Sequence, residues 1–254
     1  MVISHARDLL ASGRASFGAI VTMPSPQVMR ILAGAGFDVL VIDMEHGPID
    51  LATAHSMILA TGGTAAAPLV RIAANTPWLA KPLLDMGALG IAVPMVGSRA
   101  EAEAAARALR YPPRGERMWG PFHAPFRWDM PMRDYMRAAD DAILSIVAVE
   151  HIDAVRRIDE IVEAEGIDVI VIGPGDLATS MGLLGQVDHP EVQAAIRGAE
   201  AVVLKSRVAL GGVAFSAGQA NRMIDQGYRS IYFGFDWSLL ARGAAAVLEG
   251  VRRP

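Results

Sequence analysis

Residues 38–47 read DVLVIDMEHG, a run of β-branched and apolar residues that ends abruptly in Asp43, Glu45 and His46. Val39 to Ile42 have the composition of a strand buried on both faces, as in a parallel sheet enclosed by helices. Charge gathered directly behind such a strand matches a (β/α)8 barrel, in which the working groups sit at the C-terminal strand tips.

Working outward, similar runs recur at 17–22, 38–43, 67–72, 89–96, 143–150, 168–173, 208–215 and 230–235, separated by Ala-, Leu- and Arg-rich stretches of helical character. SPQVMRILAGAG carries Pro26 in its first turn and stops at Gly34 or Gly36, and DHPEVQAAIRGAEAVVLKS opens with Asp188 as the expected cap and Pro190 just inside. LLDMGALG, EAEGIDV and IDQGYRS each set a glycine between a helix and the next strand, where a left-handed cap belongs. Eight strand–helix units predict an α/β fold, a (β/α)8 TIM barrel forming one domain over residues 1–254, with a doubly wound open sheet as the rival. Residues 111–142, rich in aromatics, break the rhythm as a long connection.

Composition narrows the function. With a net charge of -4 made of interspersed acids and bases, no basic block is present to follow a nucleic acid backbone. No apolar run reaches spanning length and the first residues lack a signal-peptide centre, so a cytoplasmic protein without membrane contact is expected. The absence of cysteine removes thiolate chemistry and Cys-ligated metals, and Lys81 and Lys205 are the only lysines.

The strand tips supply the candidates. Glu150 and Asp176 follow neighbouring strands and either hold a hard divalent cation or sit in the first turns of the next helices, where negative charge is favoured. His46 is a candidate general acid/base or an idle loop histidine. Arg71 ends an otherwise apolar strand, so its guanidinium either clamps a substrate carboxylate or neutralises the tip acids. Asp85 lies at a helix end that disfavours its charge and points either to solvent or to a neighbour. GPGD at 173–176 is too short for a dinucleotide fingerprint. Gly211, Gly212 and FGF at 233–235 occupy the place of the phosphate site of many barrels, but Asp236 follows and a carboxylate repels phosphate. Trp119, Phe122, Phe126 and Trp128 are loop packing or a substrate lid.

Together, IDMEHG (42–47), VRI (70–72), LLDMGALGIAVPMV (83–96), RYPPRGER (110–117), VAVE (147–150) and IGPGDLATSMG (172–182) resemble the HpcH/HpaI family of pyruvate aldolases, along about residues 15–250. The resemblance implies a hexamer built as a trimer of domain-swapped dimers, with Mg²⁺, Mn²⁺ or Co²⁺ on Glu150 and Asp176. It further implies that His46 transfers the proton, that Arg71 holds pyruvate beside Gly173, Pro174 and Gly175, and that Asp43 and Asp85 support His46, the latter from an adjacent subunit. Two departures stand out: Ala148 where the family usually has Gln, and RMWGPFHAPFRW (117–128) where small residues are usual, which is expected to alter the wall around the aldehyde.

Aldol cleavage needs an electron sink, either a lysine Schiff base or a metal. Neither lysine lies at a strand tip, so a metal-dependent aldolase splitting a 4-hydroxy-2-oxo acid into a 2-oxo acid and an aldehyde is expected. The alternatives are a metal-dependent lyase or isomerase acting on a phosphoenolpyruvate-like or phosphorylated compound, and a non-catalytic binding barrel.

Overall fold

The computed structural model describes residues 5–252. Among these, β1 (Ser16–Val21), β2 (Val39–Asp43), β3 (Ala67–Arg71), β4 (Gly90–Val93), β5 (Leu144–Val149), β6 (Val169–Ile172), β7 (Ala209–Val213) and β8 (Ser230–Phe235) pair in parallel in chain order, and β8 closes on β1. Closure leaves no edge strand, which eliminates the open doubly wound sheet.

The period of two along each strand divides the core. In β2, Val39 and Val41 point inward with Ala67, Leu69, Leu89, Leu144 and Val169, while Leu40 and Ile42 pack outward beneath the helices. Beyond a few buried serines near strand starts (Ser16, Ser145 and Ser230), the strands are apolar on both faces over most of their length. The charged side chains of the strands, Asp43 and Arg71, come at their last residues, where the interior opens at the C-terminal mouth.

Local signals set most boundaries. Helix Pro26–Gly34 is capped by Ser25, whose hydroxyl accepts from Val28 N at 3.2 Å, with Pro26 in its first turn. Gly87, Gly166 and Gly227 take the expected positive φ of 106°, 83° and 105°. The cap expected at Asp188 belongs instead to His189, whose Nδ1 accepts from Glu191 N at 3.3 Å. Pro190 explains the shift: it holds the residue before it extended (ψ 136°), making His189 the last non-helical position.

The segment 111–142 joins the end of helix Arg99–Ala108 to the start of β5, so it lies at the N-terminal end of the barrel, opposite the mouth. Its contacts agree. Arg127 Nε donates to Ile58 O (3.1 Å) and Trp128 Nε1 to Gly87 O (3.0 Å), both at helix ends facing strand starts. Within one chain the aromatics at 119–128 therefore form no wall of the mouth, contrary to the expectation that they border the aldehyde. A connection from helix to strand has to fall at the strands' beginning, whatever its composition.

The last helix, Asp236–Leu248, departs from the pattern in another way. Only Asp236 is buried, and residues 240–250 are exposed throughout, including Leu240, Val247 and Leu248. Where a helix would pack between β8 and β1, a cleft of about 300 Å³ remains, lined by Phe17, Phe37, Ala220, Ile224 and Phe233.

Candidate active site

At the mouth, Arg71 is the organising cation. Its Nε and Nη2 donate to the two oxygens of Asp43 at 2.8 and 2.7 Å, and Nε also lies 3.2 Å from Glu45 Oε2. Burial alone would lower the Arg71 pKa, but the fork on Asp43, with the Glu45 and Glu150 charges, holds it above the usual guanidinium value. Because Nε and Nη2 grip Asp43 side-on, the Nη1 edge is left for another anion.

Asp43 is fully buried at the β2 tip, and its Oδ1 also accepts from Glu45 N (3.2 Å) and His46 N (3.3 Å). Its hold on His46 is therefore through the backbone. The His46 imidazole faces Glu45 instead, with Nε2 3.8 Å from Oε2, and its side chain is 62% exposed, open to anything entering the mouth. Gly47 lets this turn close, since a Cβ there would run into the Asp43 and Thr22 carbonyl oxygens.

Glu150 emerges from β5 and is buried, with Oε1 accepting from Met95 N at 2.8 Å. Met95 reaches it from a left-handed backbone (φ 54°), a conformation that costs an ordinary residue about 1 kcal/mol and marks a constrained site. The other oxygen, Oε2, faces Gly173, where an added Cβ would stand only 2.7 Å away. Asp176 lies in the first turn of helix Pro174–Ser180, after Gly173, Pro174 and Gly175. Asp176 therefore occupies a helix start, where its charge is favoured, and that charge is felt by Glu150 on the neighbouring strand.

Burial pushes the Glu150 carboxyl up, opposed by the Met95 N–H and Arg71 and reinforced by the Asp176 and Glu45 charges. Burial, with Asp43 and Asp176, likewise raises Glu45 against the pull of Arg71 and His46. Arg71 answers Asp43, Glu45 and Glu150, while Asp176 adds its charge to Glu45 and Glu150, so the carboxylates at the mouth outnumber its one guanidinium. No group of three or more His, Cys, Asp or Glu converges as a ready-made metal cage among the described residues. The pair Glu150 and Asp176 nonetheless fits a hard divalent cation: the donors are oxygens, one oxygen of the buried Glu150 has no N–H on it, and the local charge calls for a cation.

The fold does not bring Asp85 into this cluster. It ends helix Pro77–Asp85 at the far end of the barrel, where Arg117 Nη2 donates to its Oδ1 at 2.8 Å. Arg117 is itself buried, stacked on Tyr111 at 4.5 Å and bonded to Tyr135 OH at 3.3 Å. Sequence reasoning missed Met95, which has no chemistry-bearing side chain to mark it, and the burial of Arg117, whose motif was visible but whose partner was not.

The chain is a carbon–carbon lyase built on a parallel barrel. It belongs to the HpcH/HpaI aldolase/citrate lyase family, which matches residues 17–243. It is 38% identical over 242 residues, 95% of this chain and 91% of the relative, to the 4-hydroxy-2-oxo-heptane-1,7-dioate aldolase of Klebsiella pneumoniae subsp. pneumoniae. Among solved structures, a HpcH/HpaI aldolase/citrate lyase family protein from Burkholderia cenocepacia superposes with a TM-score of 0.90 at 32% identity, covering 97% of this chain and 98% of that one. The citrate synthase SbnG does so with a TM-score of 0.86 at 29% identity, covering 97% and 96%.

Proposed function

We propose that the chain is an aldolase that reversibly cleaves a 4-hydroxy-2-oxo acid to pyruvate, or a close 2-oxo acid, and an aldehyde, with Mg²⁺, Mn²⁺ or Co²⁺ on Glu150 and Asp176. The observation that carries this reading is the buried, charge-repelled Glu150, with one oxygen tied to Met95 N and the other turned toward Gly173 and the Asp176 turn. When bound, the cation supplies Lewis-acid stabilisation of the negative charge that develops as the C3–C4 bond breaks.

The chain's own residues do the rest. The free Nη1 edge of Arg71 binds the oxygens of the 2-oxo acid, held in aim by Asp43. Gly175 has nothing within 4 Å of where a Cβ would stand, so the Gly173–Gly175 turn offers open backbone against which a three-carbon acid lies. The His46 imidazole takes the proton from the 4-hydroxyl in cleavage and returns it in synthesis, with the Glu45 carboxylate 3.8 Å from its Nε2. Lys81 lies within helix Pro77–Asp85 and Lys205 just beyond helix Pro190–Val203, which supports a route without a Schiff base.

Asp85, remote from its own mouth, would serve His46 of a second copy. The exposed helix Asp236–Leu248 and the cleft between β8 and β1 support an assembly that exchanges this helix, as in a trimer of swapped dimers.

Exchange of the pyruvate methyl protons for deuterium, followed by NMR with and without Mn²⁺, tests the half-reaction without an acceptor. Exchange should need the metal and disappear in Glu150→Gln and Asp176→Asn. Metal-dependent exchange at the native rate in either variant overturns the ligand assignment.

A further inference from the structure

Asp236 stands where β8 passes into the last helix, the place at which many barrels bind a phosphate group of their substrate on backbone N–H groups. Here those donors are taken. Asp236 is 3% exposed, and its Oδ1 accepts from Thr22 N at 3.1 Å, Thr22 Oγ1 at 2.9 Å and its neighbour Trp237 N at 2.9 Å, while Oδ2 accepts from Met23 N at 2.9 Å. Three backbone amides from two chain segments and one hydroxyl converge on a single carboxylate. That is the donor set an anion receives in a phosphate cradle, filled by a side chain of the protein.

The surroundings give a phosphate no other welcome. Arg242, six residues further along the helix, is committed to the carbonyl oxygens of Phe215 and Ser238. In the closed strand order, β8 and β1 lie across the mouth from β4 and β5, and thus opposite Glu150. A substrate whose 2-oxo acid end sits at Arg71 and Glu150 therefore carries its far end toward Thr22 and Asp236.

We infer that Asp236 is a specificity-determining residue: its carboxylate occupies the anion cradle at the β8–β1 corner and thereby restricts the enzyme to aldehydes without a phosphate group. The inference rests on the aldolase reading for its consequence, and on geometry alone for the cradle.

Two measurements separate these. The first needs no turnover: binding of inorganic phosphate, read by ³¹P line broadening and by the shift in melting temperature, to the native chain and to Asp236→Gly and Asp236→Ser. The native protein should show neither effect, while either variant, by freeing the amides, should gain both. Phosphate binding to the native chain at this corner, or none to a folded variant, overturns the cradle. The second compares kcat/KM for pyruvate addition to D-glyceraldehyde and to D-glyceraldehyde 3-phosphate. The native enzyme should prefer the unphosphorylated aldehyde by about 100-fold or more, the scale that facing like charges produce, and the variants should narrow that ratio at least about tenfold. Equal use of both aldehydes by the native enzyme, or an unchanged ratio in the variants, refutes the specificity role. Absence of turnover with every aldehyde would count against the aldolase reading and leave the phosphate measurement to decide the cradle.

Discussion

Gly173→Ala tests the metal reading at a residue that carries no chemistry. The added Cβ would lie 2.7 Å from Glu150 Oε2 and 2.9 Å from Glu150 Cβ, closer than side-chain carbons approach one another. The carboxylate must withdraw by roughly half an ångström or more to restore ordinary contact. It has little room to do so, because Oε1 is tied to Met95 N at 2.8 Å and Gly173 N bonds to Val149 O at 3.3 Å. Overpacking of this kind costs about 1–3 kcal/mol, and here the cost falls on the geometry of one donor oxygen, so Mn²⁺ affinity should drop about 5- to 150-fold. Titration of Mn²⁺ by electron paramagnetic resonance measures it, with the melting temperature of the metal-free variant as the control for folding. A folded variant that binds Mn²⁺ as tightly as the native chain would show that Glu150 does not face the cation.

Other consequences follow from the same charges and contacts. Burial first, and then neighbouring carboxylates, raise Glu150 and Glu45 above 4.5, so between that value and the folded pKa the unfolded chain has lost protons that the native chain keeps. The unfolding free energy of the chelator-treated protein should therefore fall as pH rises through that window and level off above it. Urea midpoints from about pH 4 to pH 7 read the slope, and Glu150→Gln should flatten it; a rise attributable to Glu150 contradicts the burial argument. Arg117→Met leaves Asp85 without its partner and should cost about 3–5 kcal/mol in urea denaturation, part of which Asp85→Asn restores in the double variant. Equal stability of the single variant would mean the pair is not felt. Leu240→Asp with Leu248→Asp changes residues that are exposed on the isolated chain, so it should lower the assembled mass by light scattering while the barrel keeps its circular dichroism; an unchanged mass removes the helix from the interface.

The barrel was legible because its signals are local. Two-faced apolar runs, Pro and Ser at helix starts and glycines at helix ends act within a few residues, so strands and caps fall close to where pattern places them. His189 shows the limit: competing cap residues one position apart are separated only by the ψ that Pro190 imposes. The strand-tip rule also carried Asp43, His46, Arg71, Glu150 and Asp176 to one mouth, because any chain closing in this order must bring its strand ends together.

What sequence alone determined, then, is the order and type of elements and the residue kinds at each tip. Tertiary structure decided which charges meet: that Arg71 grips Asp43, that Met95 N holds Glu150, that Asp85 stands a barrel's length from His46 beside a buried Arg117, and that Asp236 receives four donors. Those pairings join residues up to 214 positions apart, across a cylinder whose closure no local propensity encodes. The physical reason is range. Propensity and capping act over one turn or one strand, whereas burial, ion pairing and the crowding of a missing Cβ depend on which distant segments the closed sheet sets side by side.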